Sequence, residues 1–397
     1  MRHPPTHLTT PRVIRLRTVL CVALAFALVQ VGVVARIPVA VAAAVQPAAA
    51  VCPPSISYGE TIECAITALD EVDRYTLNAA AGERIAVRIT RTTGTMRPRV
   101  TVQQASGDYL CGNFALATAE AMCSMPANGT YTIVIDDTFR ERTGTYYLHV
   151  QRFNPPVGAQ PLPLGQAQSG AIDGPAEADV WSFAARAGDR MVARVSRSGG
   201  SLEPRLVVYD QAGTYVCGNY ETEVAETGCA FGADGTYTLQ IDDTFRANSG
   251  AYYVYLQRFN QPAATTAIKA GQTLNNTIDV PAESDAYTFT AGGGERRLIR
   301  VSRTDGMFHP RVTVFNAQGG YVCGGYESSV VDIVCVLPTA GTYLLLIDDT
   351  HRVQTGRYDL LFSCPEAGCS SNCPVQGCGT EPVLDRRMFV PIIVGDG

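Results

Sequence analysis

Apolar and polar residues alternate along most of this chain, the period of two that a strand with one buried face requires. Tyr75 and Leu77, Val87 and Ile89, Val100 and Val102, then Tyr131, Ile133 and Ile135, then Tyr146, Leu148 and Val150 mark successive strands. Gly107-Asp108, Gly129 and Gly144 punctuate them as turns. No long stretch carries the helical period. Short alternating strands separated by glycine-rich turns predict an all-β fold built from antiparallel β-sandwiches of jelly-roll type.

The pattern occurs three times. Cys111, Cys217 and Cys323 stand 106 residues apart, as do Cys123, Cys229 and Cys335, and the same offset superposes Asp73, Asp179 and Asp285 and then Pro98, Pro204 and Pro310. Copies of roughly a hundred residues match ordinary domains and are too long for solenoid units. The chain therefore divides into a leader at 1–50, sandwich repeats at 51–155, 156–261 and 262–363, and a cysteine-rich segment with an apolar tail at 364–397. The joints fall at Asn154-Pro155-Pro156 and Asn260-Gln261-Pro262, short enough to predict semi-rigid neighbours.

The order Asp73-Arg74-Tyr75-Thr76-Leu77, Ala81-Gly82-Glu83-Arg84, Gly107-Asp108-Tyr109, Gly129-Thr130-Tyr131 and Thr143-Gly144-Thr145-Tyr146, with its equivalents in the later copies, resembles the bacterial pre-peptidase C-terminal domain. That family consists of secreted β-sandwiches that often trail exported proteases. The resemblance implies an accessory role in adhesion, substrate attachment or secretion. The departure from the family pattern is that no peptidase precedes these repeats.

At 46% apolar and 17% charged residues the chain has ample core material, which excludes disorder. The first 36 positions hold five arginines and no carboxylate, so the totals of 31 basic and 37 acidic residues leave 26 against 37 in the remainder, or −11. That charge lacks the footprint for nucleic acid and is repelled by anionic headgroups. The basic segment ending Arg15-Leu16-Arg17, the apolar run from Val19 to Ala35 and the Ala/Val/Pro-rich residues to Ala50 read as a secretory signal, which predicts a secreted or cell-surface protein. The alternative is an uncleaved anchor, the only route to a membrane.

Twelve cysteines follow the leader, an even number that predicts disulfides in an exported chain. Spacing suggests Cys111 with Cys123, Cys217 with Cys229 and Cys323 with Cys335, each closing a loop worth about 3 kcal/mol in the chain-entropy model. Cys52 and Cys64 occur only in the first copy and predict a staple at its N-terminal edge. Cys364, Cys369, Cys373 and Cys378 form a compact cluster that reads as two disulfides, with a zinc site as the alternative.

Three repeated features are candidates for chemistry. Asp136-Asp137-Thr138-Phe139-Arg140 recurs as Asp242-Asp243-Thr244-Phe245-Arg246 and Asp348-Asp349-Thr350-His351-Arg352, placed by the pattern in a hairpin loop. No cofactor is expected, and calcium at the paired aspartates is the alternative, with Glu71 and Asp73 and their counterparts completing the oxygen set. The competing reading has the aspartates capping turn amides and pairing with Arg140 or Arg99. Arg88, Arg194 and Arg300 face away from the core and read either as an outer-face ladder balanced by acids or as a site for sulfated or carboxylated glycans. Tyr109 and Phe114, Tyr215 and Tyr220, and Tyr321 and Tyr326 flank the disulfide loop, where they either plug the end of the sandwich or stack on sugar rings and peptide side chains.

Catalytic motifs are missing: there is no H-E-x-x-H, G-x-S-x-G, P-loop or dinucleotide fingerprint, and His149, His309 and His351 occupy different repeat positions. The expected function is a non-enzymatic binding, adhesion or surface accessory role toward extracellular polysaccharide or protein. A ligand-free structural spacer and a secreted hydrolase are the alternatives. The apolar tail Met388-Phe389-Val390-Pro391-Ile392-Ile393-Val394 is too short to span a bilayer and reads as a surface-retention signal or as a strand docking on the third repeat.

Overall fold

The computed structural model describes residues 52–365; the leader and the cysteine cluster at Cys369, Cys373 and Cys378 lie outside the described residues. The first repeat contains eight strands: β1 (Thr61–Ile66), β2 (Asp73–Ala79), β3 (Arg84–Arg91), β4 (Pro98–Gln103), β5 (Tyr109–Phe114), β6 (Thr118–Ser124), β7 (Gly129–Asp137) and β8 (Gly144–Arg152). They form two four-stranded antiparallel sheets, β1-β8-β3-β6 and β2-β7-β4-β5. Every connection except β4 to β5 crosses from one sheet to the other, which is the jelly-roll topology. The same order recurs in the second and third repeats. There a two-residue strand, Gln160–Pro161 or Thr266–Ala267, adds in parallel beside the counterpart of β2, a place held in the first repeat by the bridge from Ser55 to Thr76.

Alternation builds one core per sandwich. Ile85, Val87 and Ile89 on β3 meet Val100 and Val102 on β4 and Ile133 and Ile135 on β7, all fully buried. Each such side chain contributes roughly 1.5–3 kcal/mol of burial. One polar network lies in each core: Tyr146 donates to Asp73 and shares a hydrogen bond with Tyr75, and Tyr252 with Asp179 and Trp181, and Tyr358 with Asp285 and Tyr287, repeat the arrangement. The crossing between β3 and β4 needs glycine, because Gly94 has φ +74 and a Cβ there would stand 2.4 Å from the Thr143 carbonyl oxygen.

The disulfides tie sheet to sheet. Cys111 on β5 and Cys123 on β6 join the edge strands of the two sheets with their Cα atoms 5.8 Å apart, and Cys217–Cys229 and Cys323–Cys335 do the same in the later repeats. Cys52 bonds Cys64 and fixes the lead-in segment to β1. These four bonds fit an oxidising, extracytoplasmic compartment. Cys364 is disulfide-bonded as well.

The paired aspartates do not sit in a hairpin loop. Asp136 and Asp137 are the last residues of β7, and β7 and β8 belong to opposite sheets, so the Thr138–Arg140 turn crosses the end of the sandwich.

Candidate functional site

Successive strand residues point to opposite sides, and this separates the two aspartates of each pair. Asp137 turns into the crossing and accepts from the amides of Arg97 (2.6 Å), Phe139 and Glu141 (both 3.1 Å). Asp243 and Asp349 cap the same turn in the same way. Asp136, Asp242 and Asp348 point to the outer face of the sheet, where Arg99, Arg205 and Arg311 each make a two-pronged ion pair with the aspartate of their own repeat.

The second and third aspartates also receive an arginine from the preceding repeat. Arg88 donates through Nη2 to Asp242 (2.8 Å), through Nε to Glu120 (2.6 Å) and through Nη1 to the Ala176 carbonyl (2.9 Å). Arg194 repeats this with Asp348 (2.9 Å), Glu226 (2.5 Å) and the Ala282 carbonyl (2.8 Å). Both guanidinium groups are buried, Arg88 at 2% exposure and Arg194 at 1%. They are therefore corrected as candidates for a surface ligand site: they are held inside joints between repeats. Among the described residues no repeat stacks on Arg300; its side chain is 46% exposed and pairs with Asp332.

Aromatic packing completes each joint. Phe153 meets Tyr209 with ring centroids 4.5 Å apart, beside Ala86 and Val207. Phe259 stacks on Phe315 at 4.1 Å, beside Val192, Leu344 and Leu346. Asn154 and Asn260 hold the chain as it passes over, each accepting from the first amide of the β3 counterpart and donating to a glycine carbonyl. The neighbours are locked as well as linked.

Charge in the joints follows from this packing. Burial alone would raise the Asp242 carboxyl, but Arg88 and Arg205 overcome it and hold it down at about 2. Glu226, with its side chain 12% exposed, would likewise be raised by desolvation but is held at about 2 by Arg194, Arg311 and Arg352. Burial and the nearby Arg88 push His149 down to about 3, so it lies neutral in the first joint. Asp285, by contrast, is raised by burial to about 7 even though Tyr358 donates to it.

The residues proposed to complete a calcium site are engaged elsewhere. Glu71 caps the Thr67 and Ala68 amides, and Asp73 serves Tyr146 in the core network. Among the described residues no group of three or more His, Cys, Asp or Glu side chains is placed to hold a metal ion. The partners of Asp136, Asp242 and Asp348 are guanidinium groups, which a cation would have to displace.

The aromatic pairs lie on the outer face of β5 and its counterparts, not in the end of the sandwich. Tyr109, Phe114, Tyr215, Tyr220, Tyr321 and Tyr326 are between 47% and 65% exposed, which corrects the plug reading. Gly112 makes room for the first ring of the pair, since a Cβ there would stand 3.3 Å from Tyr109 Cε2; Gly218 and Gly324 do the same for Tyr215 and Tyr321 at 3.4 Å. Each tyrosine thus rests one side on its strand and turns the rest outward. Beside Tyr321, a crevice of about 200 Å³ opens in the second joint, walled by Phe259, Phe315 and Leu346 above Arg194 and Asp348. Gly228 lines it, where the first joint has Met122.

Sequence reasoning placed the linkers and expected semi-rigid neighbours, but missed the ion pairs and ring contacts that lock the joints. The usable signal was that Phe153 and Phe259 precede the linkers while Pro365 takes their place in the third copy.

Fold and site together define an array of jelly-roll sandwiches with ion-paired joints and outward aromatic pairs. No protein-family model matches the chain, and no curated protein matches it. Among solved structures it is similar to the pre-peptidase C-terminal domain of a collagenase from Bacillus anthracis, at 16% identity and a TM-score of 0.21, over 26% of this chain and 99% of that one. It is also similar to a chain of the lipid-containing bacteriophage PM2, at 11% identity and a TM-score of 0.17, over 76% of this chain and 99% of that one. A triple jelly roll of an archaeal virus matches at 9% identity and a TM-score of 0.16, over 77% and 89%. Scores this low carry no argument of their own, and the jelly-roll assignment stands on the strand order.

Proposed function

We propose that this chain is an exported, non-catalytic binding array whose locked repeats present aromatic pairs to an extracellular polysaccharide or protein. The observation that carries the reading is the threefold recurrence of two large, exposed rings at the same places on a disulfide-fixed edge strand. Exposed aromatics are unfavourable in water unless a partner covers them, and three weak sites on one chain multiply through effective concentration. The buried joints favour a second reading, a rigid spacer without a ligand.

Retention of the full chain on cell-wall polysaccharide, sulfated glycan and collagen-like matrices separates the two. Alanine at both aromatics of one, two and then three repeats is expected to reduce retention stepwise, by more than tenfold when all three pairs are gone. Wild-type protein that passes through every matrix would leave the spacer, and retention untouched by the triple replacement would move the site elsewhere.

A further inference from the structure

The two joints share one plan but are filled differently, and the difference opens the crevice beside Tyr321. Met122 of the first joint becomes Gly228 in the second, Thr214 becomes Gly320 and Gln240 becomes Leu346. Gly228 alternates with the core residue Cys229 on the strand Val224–Ala230, so the missing side chain leaves space on the joint side of the sheet. The exchange at 346 is coupled to another. Gln240 Nε2 donates to Asp242 in the first joint (2.8 Å), whereas in the second Ser284, which replaces Ala178, donates to Asp348 (3.0 Å). With the carboxylate served by Ser284, the wall position is released to an apolar side chain.

The rim changes as well. Arg84 donates through Nη1 to the Thr214 hydroxyl (3.3 Å) and so ties the first repeat to the second. Gly320 has no hydroxyl to offer Arg190, the counterpart of Arg84. The stem of Arg190 lies against Gly319, where a Cβ would stand 3.4 Å from Arg190 Cβ, and its exposed guanidinium has no partner among the described residues.

We infer that the crevice of the second joint is a binding pocket for one aromatic side chain of a peptide that carries a carboxylate beside the ring. Size sets the first limit: about 200 Å³ is less than the roughly 300–1,000 Å³ of pockets that enclose whole small molecules, and it suits a single ring. The lining sets the second. Phe259, Phe315 and Leu346 are apolar, and Arg194, Glu226 and Asp348 in the floor are already paired, so a sugar would bury hydroxyls without partners. An aromatic ring meets no such cost and is attracted by the guanidinium groups of Arg194 and Arg311 in the lining. At the rim, Arg190 presents the planar donor fork that a carboxylate accepts. The pocket deepens the binding-array reading and rests on it for an extracellular partner, of which it selects the protein over the polysaccharide.

Titration calorimetry of the full chain tests the pocket with three free probes: N-acetylphenylalanine, its uncharged amide N-acetylphenylalaninamide, and a glucose hexasaccharide. The acid is expected to bind saturably and the amide at least fivefold more weakly, while the hexasaccharide leaves the acid in place. Gly228→Met, which restores the side chain found in the first joint, is expected to weaken the acid at least tenfold with the melting temperature unchanged or raised. Arg190→Gln, a change at an exposed side chain, is expected to erase the acid's advantage over the amide. No saturable binding to the wild type, binding untouched by either variant, an amide as good as the acid, or displacement by the hexasaccharide would each overturn the inference. Both variants keep all three aromatic pairs, so matrix retention is read separately. Retention without probe binding refutes the pocket alone, and probe binding without retention refutes the array and keeps the pocket.

Discussion

Strand β3 and its counterpart in the third repeat, Arg296–Arg303, carry an arginine at the same point of the pleat but live in different surroundings. In β3 six consecutive residues, Ile85 to Thr90, are buried, because the core lies on one side and the second repeat on the other. In the third repeat the burial alternates, Ile299 and Val301 inward and Arg300 outward. The same residue type is thus an interior ion-pair member in one place and a half-solvated surface charge in the other. The lesson is that an outward-facing arginine on a jelly-roll sheet acquires its role from whatever stacks on the sheet.

The sharpest way to break the comparison is to remove the arginine in both settings. Arg194→Ala removes the buried guanidinium that Glu226 and Asp348 share and leaves them to Arg352 and Arg311, and a loss of about 3 kcal/mol is expected in urea unfolding. Arg300→Ala is expected to change stability by less than about 1 kcal/mol, since its ion pair is partly solvated. Equal losses would mean that the joint charges are screened far better than their burial indicates.

Next in size is the aromatic component. Phe259→Ala removes the ring stacked on Phe315, and a destabilisation of about 2–4 kcal/mol is expected, confined to the transition that reports on the second and third repeats. Differential scanning calorimetry that shows the same loss in the first repeat would contradict a local joint.

Acidity sharpens the contrast between joint and core. Asp242 and Glu226 have folded values depressed to about 2, below the unfolded values near 4, so their stabilisation is present above about pH 4 and is lost as pH falls toward 2. Asp285 works the other way. Its folded value near 7 means that the folded state keeps a proton the unfolded chain releases, so stability falls as pH rises from about 4 to 7. In Asp285→Asn the melting temperature is expected to lose that decline while keeping the acid-side fall; a variant with the wild-type profile would place the titration elsewhere.

The smallest expected effect is that of metal. EDTA is expected to leave the melting temperature within about a degree, because guanidinium groups already occupy the outward aspartates. Stabilisation by several degrees in millimolar calcium, abolished by Asp136→Asn, would replace the arginine account for the first repeat.

Much of the fold was legible in the chain itself, and for identifiable reasons. The 106-residue register announced the three copies, the alternation around Val87 and Val100 announced the inward faces, and the twelve-residue spacing of Cys111 and Cys123 announced their bond. The candidate site was legible only in part. Tyr109 and Phe114 were found, but their exposure was not, because a bulge between Val102 and Gln103 shifts the β4–β5 register and erases the period from which facing is read. The capping role of Asp137 is one of the two roles its sequence context allows, since an aspartate beside a turn has amides within reach.

What the sequence determined by itself is everything set by near neighbours along the chain: strand faces, turns, short disulfide loops and the number of repeats. What only the tertiary structure decided is the fate of the outward side chains. Alternation says that Arg88 points away from its own core and nothing about what lies beyond, and its partner Asp242 is 154 residues away in another sandwich. Whether that arginine is bathed in water or buried against a carboxylate depends on the docking of one sheet on the next, which is fixed by Phe153 on Tyr209 and by the geometry of the joint, and no local period records it.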